Sequence, residues 1–246
     1  MSCTAQADAA VPPSFDLVTC PWLPVQRLDG STEELSLRDL FAQARELRRL
    51  VGDVPTQELA LLRLLLAVGT TPSTGRRIWR TGRNCGRRTP LRPVLDYLRR
   101  YGDRFDLLHP ERPFFQVSGL RTEKDEIASL NRLVADVPNG DPFFAMRRPG
   151  VDRLSYAEAA RWLVHAHAYD TSGIKSAMAG DGRARAGKVY PLGVGSAGIL
   201  GGIFAEGANL HETLLLNLIA FDEGIVEVAD HAGPGGEDRP AWRREE

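Results

Sequence analysis

The chain has 246 residues, 43% of them apolar and 26% charged, with a formal net charge of −1. That length suggests one large domain or two small ones with a sizeable core, and the balanced charge excludes a global polycation, so any nucleic-acid contact must come from local patches. All but three of the 31 basic residues are arginine (the lysines are Lys124, Lys175 and Lys188), an excess that compositional bias of the source genome largely explains, although arginine is also the side chain that grips phosphate with two hydrogen bonds.

Residues 1–14 read as a disordered start. Phe15 to Leu28 alternates apolar and polar residues around Pro21 and Pro24, and Asp29-Gly30 closes it as a hairpin turn, which predicts two short strands. "LSLRDLFAQARELRRLVG" follows with leucines at three- and four-residue spacing, arginines opposite, Ser36 as N-cap and Gly52 near the end; this predicts one helix. "PTQELALLRLLLAVGT" is a second helix, apolar on most sides and hence central.

The segment from Thr74 to Pro90 differs from its surroundings. It holds Arg76, Arg77, Arg80, Arg83, Arg87 and Arg88, one tryptophan and no acid. Such a mixture can hold a phosphate backbone, with Trp79 as a stacking platform. A solvated loop with Trp79 tucked into the core explains it equally well. A helix from about Pro93 to Tyr101 comes next, then a short strand around Phe114 to Val117, then a helical stretch and the turn "PNGDP" within 121–140. Ser155 and Glu158 form a capping box that opens the helix "YAEAARWLVHAHA". Residues from Asp170 to Pro191 make a long, basic segment rich in glycine and alanine; "GIFAEG" reads as a strand and "LHETLLLNLIAF" as a last helix. Residues 230–246 read as a linker or frayed end, which leaves 15–229 as the globular domain. Strands and helices do not alternate regularly, so the fold class is α+β, an irregular mixed domain with several helices and short antiparallel strands.

Chemical motifs are few. Gly193-Val194-Gly195-Ser196-Ala197-Gly198 satisfies G-x-G-x-x-G, the letters of a dinucleotide-binding turn. A nucleotide- or dinucleotide-dependent enzyme using this turn is the alternative reading. Its context is poor: Pro191 interrupts the strand before it, Gly201 and Gly202 disfavour a helix after it, and the position about 20 residues after Gly198 falls in the leucine-rich helix at Leu218, with no carboxylate there. His165 and His167 are two apart on a helix and point in different directions, so they make no zinc pair; His165 is expected packed and His167 exposed. Cys3, Cys20 and Cys85 are scattered, which suggests neither a disulfide framework nor a metal pair and points to a reducing, cytoplasmic setting. No apolar run reaches membrane-spanning length. No metal, cofactor or catalytic residue is indicated. The glycines permit close backbone approach to a ligand, with N–H groups facing outward as donors and Lys175, Arg183, Arg185 and Lys188 nearby as cations.

Several blocks together resemble the CasA family, the large subunit of the type I-E CRISPR surveillance complex, Cascade. These are "FDLVTCPWLPVQRLDG", "ELALLRLLLAV", "FDLLHPERPFFQV", "YDTSGIKSA", "YPLGVGSAGILGG" and "NLHETLLLNLI", in the family's order. The resemblance implies a non-enzymatic subunit that inspects duplex DNA for the protospacer-adjacent motif (PAM) from the minor groove. It further implies help with strand separation and docking of a helicase-nuclease. The implied partners are the other Cascade subunits, crRNA, target double-stranded DNA and that nuclease, with no membrane. The family's glycine loop falls on Gly193, Gly195, Ser196 and Gly198. Its loop near the crRNA 5′ end falls on Phe143 or Phe144, beside Arg147 and Arg148. Family members are longer and end in a helical bundle that carries a wedge glutamine and a PAM-facing lysine. This sequence lacks the bundle, which suggests an N-terminal domain or a shortened subunit. Where some relatives carry C-x-x-C, this chain has "VDRLSYA", so no metal is implied.

Overall fold

The computed structural model describes residues 13–70, 91–135, 150–182, 184, 188–192, 194–218, 240 and 242. Strands β1 (Leu23–Arg27) and β2 (Thr32–Leu35) form the expected hairpin, paired from Leu23 opposite Leu35 to Gln26 opposite Thr32. Gly30 supplies the turn's positive φ of 89°, and the Asp29 carboxylate accepts from the Ser31 N–H at 2.9 Å. Ser36 then caps α1 (Leu37–Gln43) by accepting from the Asp39 N–H at 3.1 Å.

The single helix expected from Ser36 to Gly52 is corrected here. The chain leaves the helix at Ala44 and returns as β3 (Leu47–Leu50), antiparallel to the free side of β1, giving the order β2-β1-β3. Leucines at helical spacing also suit this arrangement, because Leu47 and Leu50 are buried in the strand as they would be in a helix. Pairing with β1 decides the outcome, reinforced by Leu28 N–H donating to Glu46 and Val51 N–H to Pro24.

Helix α2 (Pro55–Thr70) matches its predicted limits and is the hub of the core, with Leu61, Leu65 and Val68 fully buried. Against it pack α3 (Arg92–Arg100), α4 (Tyr156–Tyr169) and α5 (Leu210–Asn217). α4 starts at the predicted capping box, in which Ser155 and Glu158 satisfy each other's backbone N–H. Arg161 of α4 is buried and ties the helix to the sheet. Its guanidinium donates to the Trp22 carbonyl at 3.0 Å and to Glu34 at 2.7 Å, and its Nε lies 3.5 Å from Asp53.

Three further expectations change. The segment Phe114 to Val117 is a turn, with Phe115 at φ 56° and the Gln116 side chain donating to the Leu107 carbonyl. The helical stretch within 121–140 reduces, among the described residues, to one 3-10 turn at Leu130–Arg132 capped by Ser129. The segment from Asp170 onward contains β4 (Gly173–Ser176) and β5 (Lys188–Leu192), an antiparallel pair separate from the first sheet. The architecture is mixed α+β, as the element order suggested.

Trp242 stands inside the core at 5% exposure. Its indole N–H donates to the Tyr97 hydroxyl at 2.8 Å, and its ring lies 5.5 Å from Phe105 and 6.2 Å from Phe114. At the other end, Ser14 donates to Asp106 at 2.6 Å.

Candidate nucleic-acid interface

The glycine turn sits on the C-terminal end of α4. The Gly195 N–H donates to the Asp170 carbonyl and the Ala197 N–H to the Ala168 carbonyl, both at 2.7 Å. These carbonyls are among the orphan acceptors that every helix end leaves, and the turn satisfies them. The approach is close: a Cβ on Gly195 would stand 2.7 Å from the Ala168 oxygen and 2.9 Å from the Asp170 nitrogen. Glycine is therefore required at 195 for packing. The turn then folds on itself, with the Gly198 N–H donating to Gly195 at 2.8 Å and the Gly201 N–H to Ala197 at 2.8 Å. Gly201 adopts φ 67°.

This geometry revises which atoms can meet a ligand. The N–H groups of Gly195, Ala197, Gly198 and Gly201 were expected to face outward and are spent inside the protein. What the turn presents is the exposed Ser196 side chain, without a partner among the described residues, and the exposed backbone of Gly198. An apolar tip follows: Ile199 is 78% exposed, Leu200 93% and Ile203 fully. Residues 202–207, expected as a strand, form none, and Ala205 bonds to a side chain instead. Asn217 of α5 accepts from the Ala205 N–H at 2.9 Å and donates to its carbonyl at 2.7 Å.

The same geometry bears on the dinucleotide alternative. A pyrophosphate site uses the positive N-terminal end of a helix that follows the glycines. Here the glycines abut the C-terminal end of the preceding helix, where the backbone dipole is negative, and residues 199–209 are not helical.

Of the other candidates, Lys175 sits on β4 opposite Val189 and pairs with Asp170, the C-cap of α4, at 2.9 Å. It therefore stands beside the anchored turn. Lys188 is on β5, opposite Ser176. Gly193, Arg183, Arg185, Phe143, Phe144, Arg147, Arg148 and the arginines from Arg76 to Arg88 lie outside the described residues. His165 is buried at 5% exposure, as expected. Its Nε2 is 2.9 Å from the Thr56 hydroxyl, its ring stacks on Tyr169 at 5.0 Å, and burial pushes its pKa below the ordinary imidazole value. His167 is exposed, with Nε2 2.9 Å from the Phe115 carbonyl. Among the described residues, no group of three or more His, Cys, Asp or Glu could hold a metal ion, and no helix is long and apolar enough to cross a membrane.

The fold and the turn define a small α+β domain whose conspicuous surface features are a pinned loop and its apolar tip. Comparison with known proteins places it. The family model for CRISPR-associated protein Cse1 matches residues 16–246. The CasA/Cse1 protein of Thermus thermophilus is 32% identical over 217 residues, covering 84% of this chain and 40% of the relative. The crystal structure of Thermobifida fusca Cse1 superposes with a TM-score of 0.79 at 58% identity, covering 95% of this chain and 43% of that one. Cse1 from Acidimicrobium ferrooxidans superposes at 0.72 with 35% identity, again covering 95% and 43%. A chain of a CRISPR RNA-guided surveillance complex aligns with a TM-score of 0.70 at 26% identity, over 96% of this chain and 47% of that one. The chain belongs to the CRISPR-associated Cse1 (CasA) family and spans less than half the length of these relatives.

Proposed function

We propose that this chain is a DNA-sensing, non-enzymatic subunit of an RNA-guided CRISPR surveillance complex, acting in the cytoplasm. In this reading the turn around Ser196 meets the minor groove of target duplex at the PAM. The domain then aids strand separation and helps recruit the helicase-nuclease. Gly193, Gly195, Ser196 and Gly198 shape the contact, and Lys175, Lys188, Arg183 and Arg185 supply charge beside it. Phe143, Phe144, Arg147 and Arg148 face the crRNA end and neighbouring subunits, and the arginines from Arg76 to Arg88 contact nucleic-acid backbone.

The observation that carries the reading is the pinned turn. Two short hydrogen bonds to the end of α4 hold a loop whose outer surface is one small hydroxyl followed by exposed apolar side chains. A narrow minor groove admits small groups, distinguishes mainly A·T from G·C, and accepts apolar wedges between base steps. A loop fixed before binding also avoids the entropic cost of ordering.

The test is Ser196→Asp in the assembled complex, with binding to PAM-bearing and PAM-scrambled duplex measured at one stated salt concentration. The added carboxylate is expected to weaken binding to the PAM-bearing duplex by roughly ten-fold or more, from a lost groove contact and repulsion of phosphate. Because Ser196 is exposed, the melting temperature of the chain should stay unchanged. Unaltered discrimination between the two duplexes by the variant complex defeats the proposal.

A further inference from the structure

A second feature lies on other elements. A cavity of about 390 Å³ opens between the end of α1, one face of α3 along its length and the start of α5. Phe41, Leu91 and Leu95 form its apolar walls, and its polar lining is Arg45, Arg92, Arg99 and His211, with no carboxylate lining it among the described residues. Arg92, Leu95 and Arg99 are spaced i, i+3 and i+7, so α3 presents them on one face. Arg45 follows the C-cap of α1, and its Nη2 lies 3.2 Å from His211 Nε2. The His211 N–H donates to the Ala44 carbonyl at 3.0 Å, which joins α5 to α1 at this point.

Acidic groups on the same elements are engaged elsewhere. Glu46 reaches Arg27 at 3.4 Å, and Glu212 accepts from the Ala208 N–H at 2.8 Å. Asp96 pairs with Arg99 at 3.3 Å, but at the surface, where the Arg99 side chain is 77% exposed. So exposed a pair contributes little and yields readily to a better anion. Three guanidinium groups around one cavity therefore favour an anionic occupant.

We propose that this cavity is a nucleotide-binding site. The guanidinium groups of Arg45, Arg92 and Arg99 hold a phosphate, and the apolar walls take the base. Its volume lies near the lower end of the range for small-molecule sites, roughly 300–1,000 Å³, and is more than a bare oxyanion fills. Arginine matches phosphate bidentately, and its plane also stacks on bases. An acidic peptide would use the charges but not a base-sized apolar recess. The nucleotide can be free or part of a single strand; the recognised chemistry is the same. The site shares no residue with the turn at 194–202, so it stands or fails separately from PAM reading.

The test is calorimetric titration of the 246-residue chain at low, fixed salt. The titrants are adenosine monophosphate, a short single-stranded oligoribonucleotide and a glutamate-rich peptide of equal charge to the oligonucleotide. Arg92→Glu and Arg45→Gln are each expected to weaken nucleotide or oligonucleotide binding by roughly ten-fold. Arg100→Glu, a control on the same helix outside the cavity, should change it little. Arg92 is exposed, so its variant should melt with the wild type. Tight binding by the monophosphate alone identifies a free nucleotide, whereas a preference for the oligonucleotide identifies a strand; both support the site. Equal loss in the Arg100→Glu control, retention of binding in both cavity variants, or preferred binding of the peptide overturns it.

Discussion

At the scale of single residues, the glycine motif separates into positions with different jobs. Gly195 is structural: any Cβ there meets the backbone of Ala168 and Asp170 below 3 Å. Overpacking of this kind costs about 1–3 kcal/mol. Gly195→Ala should lower stability by that amount in urea unfolding, whereas Ser196→Ala should leave it unchanged. An aspartate at 195 would therefore test folding rather than recognition, which is why Ser196 carries the functional test. The buried His165 gives a second residue-scale prediction. Burial lowers its pKa below the ordinary imidazole value, so the unfolded chain binds this proton more readily than the folded one. The contribution of a neutral His165 to stability is complete above about pH 6.5 and declines as pH falls from there through its lowered folded value. Urea midpoints at pH 7.5 and 5.5 should therefore differ more for wild type than for His165→Gln, whose side chain does not titrate. Equal differences in the two proteins would show that His165 does not contribute to the slope.

At the scale of elements, what was legible in the sequence depended on whether the signal was local. Capping boxes and N-caps act within four residues, so Ser36, Ser155 and Glu158 announced the starts of α1 and α4 correctly. The apolar density of α2 marked it as central for the same reason. The run 44–50 was misread because its leucine spacing satisfies a helix, while the deciding partner, β1, lies about 20 residues away in sequence and leaves no local trace. The β4–β5 pair was half-seen: a strand before the glycine motif, interrupted at Pro191, was read, and its partner was missed. Arg161 was not singled out at all. A lone arginine on the helix "YAEAARWLVHAHA" looks like a solvated residue, yet its side chain is buried and bonded to Trp22 and Glu34. Replacing it removes the link between α4 and the first sheet, and leaves Glu34 and Asp53 without their cation. Both carboxylates are partly exposed, so the cost is discounted to about 2–3 kcal/mol for Arg161→Met. Thermal melts should show it. A melt equal to wild type would mean that solvent already carries those charges.

At the scale of the molecule, the same reasoning reaches the chain's far end. Composition made 230–246 look like tail, because Gly, Pro and charge dominate it. Yet Trp242 fills the aromatic cluster of Phe105, Phe114 and Phe115, and Arg104 donates to its carbonyl at 2.7 Å. Tyr97, Phe105 and Phe114 come from α3 and the segment after it, so this one side chain joins the end of the chain to the flank that carries the arginine-lined cavity. A buried tryptophan replaced by alanine costs about 3–5 kcal/mol, from lost burial and the cavity left behind. For a domain of this size, each kcal/mol corresponds to roughly 2–4 °C. Trp242→Ala should therefore melt on the order of 10 °C lower. Trp242→Phe should recover part of the loss, since it keeps a six-membered aromatic ring in the cluster but gives up the pyrrole portion of the indole and the hydrogen bond to Tyr97. If instead Trp242→Ala melts with the wild type, the aromatic cluster closes without it, and the end of the chain contributes nothing to the core.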